Sequence, residues 1–263
     1  MTDMKAIYLN GHGGSEVVQF GRRPAPEPAP GEVLVRMRAA TLNRVDLYMR
    51  DSGAGITHVL PQIMGVDGAG EIAQINASGS KLTVGQDVVL HPGIACRRCE
   101  YCLSGETVLC TSIRFLGEHR DGTLAEYVSL PAQHVFPMPP GLNYVEAAAL
   151  GVNHLTAWRM VVGQAVWADA LKSLARGGRL AVCGATSGSA PSADLQRLFV
   201  RQLQLFGSSL GTLEEFRLML EFIRNTGIRP VIDRVFDMAD IHAALDFLES
   251  GKQFGKVAVS IKA

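Results

Sequence analysis

The chain lacks an excess of charge of either sign: 25 lysines and arginines meet 25 aspartates and glutamates across 263 residues. Nothing in that balance advertises a nucleic-acid or anionic-membrane partner. It also lacks an apolar run of membrane-spanning length, and no charged-then-apolar leader opens it. Cysteine is scarce. Of five, four fall between positions 96 and 110, with Cys183 left over, a usage that suits a reducing cytosol. The expectation is a cytoplasmic globular protein of two modest domains or one large one, with 47% hydrophobic residues to supply a core.

The four clustered cysteines carry most of the information. Cys96, Cys99, Cys102 and Cys110 read C-x2-C-x2-C-x7-C. Two-residue gaps let the chain bend back so that neighbouring thiolates converge on one tetrahedral Zn²⁺. Four thiolates close the coordination sphere, so the expected ion is structural, one per chain. A ferredoxin-type run would end in a three-residue gap and a proline; this one has a seven-residue gap and then Thr111.

Periodicity divides the chain. Short strands are expected at 4–10, 16–20, 32–40, 70–76, 87–92 and 125–130, separated by glycine and proline turns. The proline-rich stretch 22–32 forbids helix or central strand. Asn143 with Glu146 fits a capping box opening a helix through about Met160. Beyond it the pattern turns α/β. A helix at 166–175 precedes a buried strand at 179–185. Leu195, Leu198, Phe199 and Leu203 mark the next helix, and 203–211 reads as a second buried strand. Phe216, Met219, Leu220 and Ile223 mark a further helix. Ile241, Ala244, Leu245 and Leu248 mark the last, stopped by Gly251, before a closing strand at 257–261.

Motifs in register then point to a family. LNRVD at 42–46, GVDGAGEI at 65–72, VGQDVVLHPG at 84–93, GEHRDGTLAEYV at 117–128, EAAALGVNHLTAWRM at 146–160 and LARGGRLAVCGATSG at 174–188 accompany the cysteine run. Together they resemble the medium-chain dehydrogenase/reductase superfamily, in its zinc-type alcohol dehydrogenase and quinone oxidoreductase branches. The resemblance implies a β plus α/β fold. A GroES-like, partly open β-barrel (1–145) carries substrate and a structural zinc lobe (about 93–113). A Rossmann-type remnant (146–250) follows, and a strand (251–263) returns to the first domain. It is a remnant because the family's dinucleotide fold opens with a strand, a Gly-rich turn and a helix that receives the pyrophosphate. Here Met160 runs through VVGQ straight to the helix at Val166, with no G-x-G-x-x-G between. On the order of 80 residues are missing, at roughly 30 per βαβ unit. GHGG at 11–14 reads as a turn, and GVDGAG at 65–70 leads into a strand. GATSGSA at 184–190 has the right context without the fingerprint spacing.

The resemblance also bears on chemistry. The metal-bearing branch places its three catalytic zinc ligands where this chain has Asn43, Val66 and Val152. Valine offers no lone pair, and Asp67 alone makes no site. The pattern resembles the quinone reductase branch, which acts with NAD(P)H and no metal. On that analogy Asn43 lies near the substrate carbonyl or nicotinamide, with a turn-capping amide as the alternative. Gly184, Thr186 and Leu210 then line the nicotinamide. Asp46 reads as a local cap, His119 as sitting beside a turn, His154 as lying on a helix facing the family's cleft, and Cys183 as an inert thiol in a buried strand. The implied function is an NADP(H)- or NAD(H)-dependent oxidoreductase without catalytic zinc. Its small-molecule substrate is an activated carbonyl, quinone or enone, and its turnover is impaired by the lost half. The alternative is a non-catalytic zinc-stapled binding protein. The exposed edge of the remnant invites a homodimer through strand 203–211.

Overall fold

The computed structural model describes residues 3–55, 59–159, 167–183 and 190–262. The chain separates into two units, 1–152 with 212–263, and 153–211.

The first unit is built on strands. β1 (Asp3–Leu9) alternates exposed Asp3 and Lys5 with buried Met4 and Ala6, and pairs antiparallel with β2 (Val18–Pro24) and β4 (Gln62–Ile63). β2 is an outer strand, where Pro24 can be tolerated. The larger sheet is assembled around β3 (Glu32–Leu42), which is buried along most of its length. β5 (Asp67–Asn76) and β9 (Tyr127–Pro131) both pair with it antiparallel. β6 (Asp87–Leu90) and β10 (Val135–Pro137) extend the sheet beyond β5. Inside lie Leu9, Val35, Met37, Leu42, Ile72, Leu90 and Leu124, the apolar cluster that burial of these strands would stabilise most.

Between β6 and β9 a small antiparallel ladder, β7 (Gly93–Ile94) with β8 (Arg114–Phe115), closes the cysteine lobe at its base. The lobe itself holds only one helical turn, α2 (Glu100–Leu103). α1 (Arg44–Ser52) leaves β3, and Gly53 ends it in the left-handed conformation at φ 72°. α3 (Tyr144–Ala148) opens on the expected capping box of Asn143 and Glu146. It is not the single helix expected through Met160. A π-turn over Leu150–His154 interrupts it before α4 (Leu155–Arg159), and Met160 lies outside the described residues.

The second unit holds α4, α5 (Trp167–Ser173), β11 (Arg179–Val182), α6 (Leu195–Arg201) and β12 (Gln204–Gly207). Its described strands form one parallel pair, β11 with β12. Three sequence expectations are corrected here. The strand expected at 203–211 spans four residues, pairs with β11 alone among the described strands, and all four of its residues are exposed. Leu195 and Phe199 of α6, expected on a packed face, are 68% and 71% exposed. Cys183 falls just beyond β11 and is half-buried rather than sealed in a strand.

The segment 212–250 was expected with the nucleotide remnant and groups instead with the barrel. α7 (Leu213–Thr226), capped by Thr212 and Glu215, buries Phe216, Met219, Leu220 and Ile223. The Phe216 ring meets His91 and Phe136 edge-on at 5.4 and 5.1 Å. β13 (Ile232–Asp237), which periodicity did not reveal, pairs parallel with β14 (Lys256–Ser260), and α8 (Ile241–Ser250) links them. β14 lies antiparallel on β3, with Val257 opposite Leu42. The buried face of α8 joins the same apolar cluster as β3 and β5.

Candidate active site and metal centre

The cysteine lobe gathers what its spacing promised. The Sγ atoms of Cys96, Cys99, Cys102 and Cys110 all lie within 4.8 Å of one another, and among the described residues they are the cluster suited to a metal. Zn–S bonds of about 2.3 Å in a tetrahedron set sulfur–sulfur edges of about 3.8 Å. Cys96 Sγ and Cys102 Sγ are 3.9 Å apart. Backbone N–H groups already serve the sulfurs: those of Cys96 and Ser112 donate to Cys110 Sγ at 3.2 and 3.4 Å. The amides of Cys102 and Thr111 pull the Cys99 thiol down to about 6, while burial pushes Cys102 up to about 12, the split of a cluster that shares its protons. The donor set fits one structural Zn²⁺. Leu103 and Leu109 stay exposed at 76% and 55%, so the lobe has little core of its own and metal binding would supply its folding free energy.

A second constellation lies inside the barrel, centred on Asp67 at the start of β5, which is fully buried. Four donors converge on its carboxylate. Asn43 Nδ2 reaches Oδ2 at 2.8 Å, Lys256 Nζ reaches Oδ2 at 3.4 Å and the Val152 N–H reaches Oδ1 at 2.7 Å. Thr41 Oγ1 shares its proton between Oδ2 at 3.2 Å and the Ala148 carbonyl at 3.3 Å. The Asn43 amide is fully engaged. Nδ2 also donates to the Thr41 carbonyl at 3.3 Å, and Oδ1 accepts from Lys256 Nζ at 2.7 Å. Oδ2 takes three of these donors and Oδ1 one, so most of the about four acceptor sites of the carboxylate are engaged.

Topology makes this possible. Thr41 and Asn43 come from the end of β3 and the cap of α1, Asp67 from β5, Val152 from the π-turn and Lys256 from β14. Gly151 lets the π-turn approach, since a Cβ there would sit 2.0 Å from Asp67 Oδ1. Sequence reading named Asn43 and Asp67 and passed over Lys256, whose partner stands 189 positions away. The only signal was a lysine in a strand otherwise apolar and buried.

Buried carboxyls surround this pair. Asp46 caps α1 as expected, its carboxylate accepting the Asn43 N–H at 2.7 Å. Burial pushes it up to about 7 against that hydrogen bond, with the charge of Asp67 adding. Glu118 is raised to about 7 by burial and by the charge of Asp46. Burial lowers Lys256, and Asp67 opposes that shift. Removing one member of a buried ion pair costs about 3–5 kcal/mol, so Lys256 and Asp67 each depend on the other.

The positions that the metal-bearing branch uses for catalytic zinc are Asn43, Val66 and Val152. Val66 is buried, Val152 contributes its backbone N–H to Asp67, and Asn43 Oδ1 is held by an ammonium. This donor set does not fit a catalytic zinc ion. Of the other residues named from sequence, Gly184 and Thr186 lie outside the described residues. Leu210 follows β12, is buried and takes φ 50°, a conformation uncommon for a branched residue. His119 Nδ1 accepts the Phe115 N–H at 3.2 Å within the turn, and His154 ends the π-turn.

Comparison with known proteins agrees with this anatomy. The family model for the alcohol dehydrogenase GroES-like domain matches residues 29–140, and that for zinc-binding dehydrogenases matches 152–259. A sorbitol dehydrogenase of Bacillus subtilis is 29% identical across 98% of this chain and 74% of its own length. A probable D-xylulose reductase A of Emericella nidulans is 33% identical, but over 52% of this chain and 39% of its own length. A solved NAD-dependent alcohol dehydrogenase superposes with a TM-score of 0.92 at 28% identity, covering 98% of this chain and all of that one. Among the described residues no helix is long and apolar enough to cross a membrane. Barrel, cysteine lobe and parallel α/β unit, matched by both family models in order, place the chain in the medium-chain dehydrogenase/reductase superfamily.

Proposed function

We propose that the chain is a cytosolic nicotinamide-dependent oxidoreductase that acts on an activated carbonyl, quinone or enone without a catalytic zinc ion. The observation that carries this reading is that Asn43 Oδ1 is held by the Lys256 ammonium, while Val66 and Val152, at the other two positions where metal ligands would be needed, offer no side-chain donor atom. Where the cofactor supplies the hydride, the protein's share is orientation and a dry pocket. NAD(H) and NADP(H) are both compatible, because the stretch that would read the ribose is absent. Gly184, Thr186 and Leu210 are the proposed contacts to the nicotinamide, and the strain at Leu210 supports a role for that residue.

The dinucleotide half is read as shortened, and turnover as impaired in proportion. The exposed two-stranded sheet of the second unit supports this. That observation also favours a second reading, a zinc-stapled binding protein that no longer turns over. On either reading the edge of β12 is the proposed seam of a homodimer, since pairing across a two-fold rebuilds a four-stranded sheet.

Calorimetric titration of NADH and NADPH into zinc-loaded protein separates the readings. Micromolar binding with reduction of a quinone or enone and one zinc per chain is the outcome expected of the enzyme. No heat at millimolar cofactor would sink it in favour of the binding protein, and a second zinc per chain would sink the metal-free mechanism.

A further inference from the structure

We propose that Lys256 is the resident cation of the Asp67 site: its ammonium takes the charge-balancing place of a divalent ion and holds the Asn43 amide in a single orientation. This rests on the reading of the site as free of catalytic zinc, which the two valines carry, and names the cation that stands there instead.

Three observations carry it. Lys256 Nζ lies 2.7 Å from Asn43 Oδ1, the one side-chain oxygen among the three positions where the metal-bearing branch has ligands. Zinc takes oxygen at about 2.0–2.2 Å, so an ion on that oxygen would press against the ammonium with like charge. The same Nζ reaches Asp67 Oδ2 at 3.4 Å, and Lys256 and Asp67 side chains are 6% and 0% exposed. A carboxylate without solvent needs a positive neighbour. Other described cations have other partners. Arg50 pairs with Asp51 and Glu249, and Arg38 pairs with Glu71. Lys256 alone among the described residues makes an ion pair with Asp67. By gripping Oδ1, it also leaves Nδ2 as the group that faces Asp67 and the Thr41 carbonyl, which fixes the amide against a flip.

A purely structural lysine, one that merely fastens β14 to β3, predicts a different response to added cations. The test uses the full chain with zinc in its cysteine lobe. Lys256→Ala should lower the thermal midpoint by roughly 10 °C. Ethylammonium should restore much of that loss saturably, and ethanol, lacking the charge, should not. Lys256→Met combined with Asp67→Asn, a neutral pair, should recover the midpoint without any added cation. Wild type stripped of zinc and loaded with excess cobalt should hold one ion per chain, with the charge-transfer and d–d bands of a tetrathiolate site.

Equal response to ethanol and ethylammonium, or a neutral pair no more stable than Lys256→Met alone, overturns the role of Lys256 while leaving the zinc-free reading intact. A second cobalt ion in the wild type overturns both. Should Lys256→Ala fail to fold, the neutral pair decides by itself.

Discussion

Asp46 and His134 show how far burial, reinforced by neighbouring charge, can move the titration of a side chain. His134 is 1% exposed, and its ring centroid lies 5.7 Å from that of His91. Burial and the nearby His91 ring push it down to about 3 from the usual 6.5. The unfolded chain therefore takes up a proton below about 6.5 that the folded one refuses, and stability is lost as pH falls through that window. Asp46 has the opposite sign. Its folded carboxyl stays protonated up to about 7, whereas the unfolded one ionises near 3.8, so its contribution is lost as pH rises through 7. Thermal melts across pH should resolve the two. Relative to wild type, Asp46→Asn should gain from about pH 4 to 7 and then level off. His134→Leu should gain as pH falls from 6.5. Flat differences would show that neither group titrates differently on folding. The cap role of Asp46 was legible from its place three residues after Asn43. The pairing of Asp67 with Lys256 was not, because nothing local in a strand tells a buried lysine which carboxylate it will meet.

At the scale of elements, the cysteine lobe and the α/β strands were both legible, but to different depths. Four thiols close in sequence must be close in space, and the lobe followed. Burial of β12 and α6 was misjudged because apolar spacing reports what an element could cover, and here Phe199 and Phe206 stay 71% and 47% exposed. β13 was missed because Asp233 and Arg234 break its apolar pattern; it is held by parallel pairing with β14, which only topology supplies. The lobe makes its own prediction. Chelation, or Cys110→Ser, should release zinc and expose 93–113 to proteolysis at Leu103 and Leu109 while the barrel remains folded. Elemental analysis and limited digestion would follow both events. Zinc release with the lobe still resistant would mean that its fold does not depend on the metal.

For the whole molecule, the question is what protects the second unit. Leu205 and Phe206 on β12 are 39% and 47% exposed, beside a strand edge that no described strand pairs, and the proposed homodimer would cover both. Phe206→Asp should convert a dimer to a monomer in sedimentation experiments, with little effect on zinc content. A wild type that sediments as a monomer at all concentrations would rule out the seam at β12.

The span between Asp67 and Lys256 has a temporal consequence. Synthesis delivers the carboxylate 189 residues before its ammonium. Until β14 emerges and slots between β3 and β13, the barrel's deepest negative charge has no counterpart. Until then the nascent barrel must either keep that corner wet or carry a proton there, so the site is finished only when β14 docks.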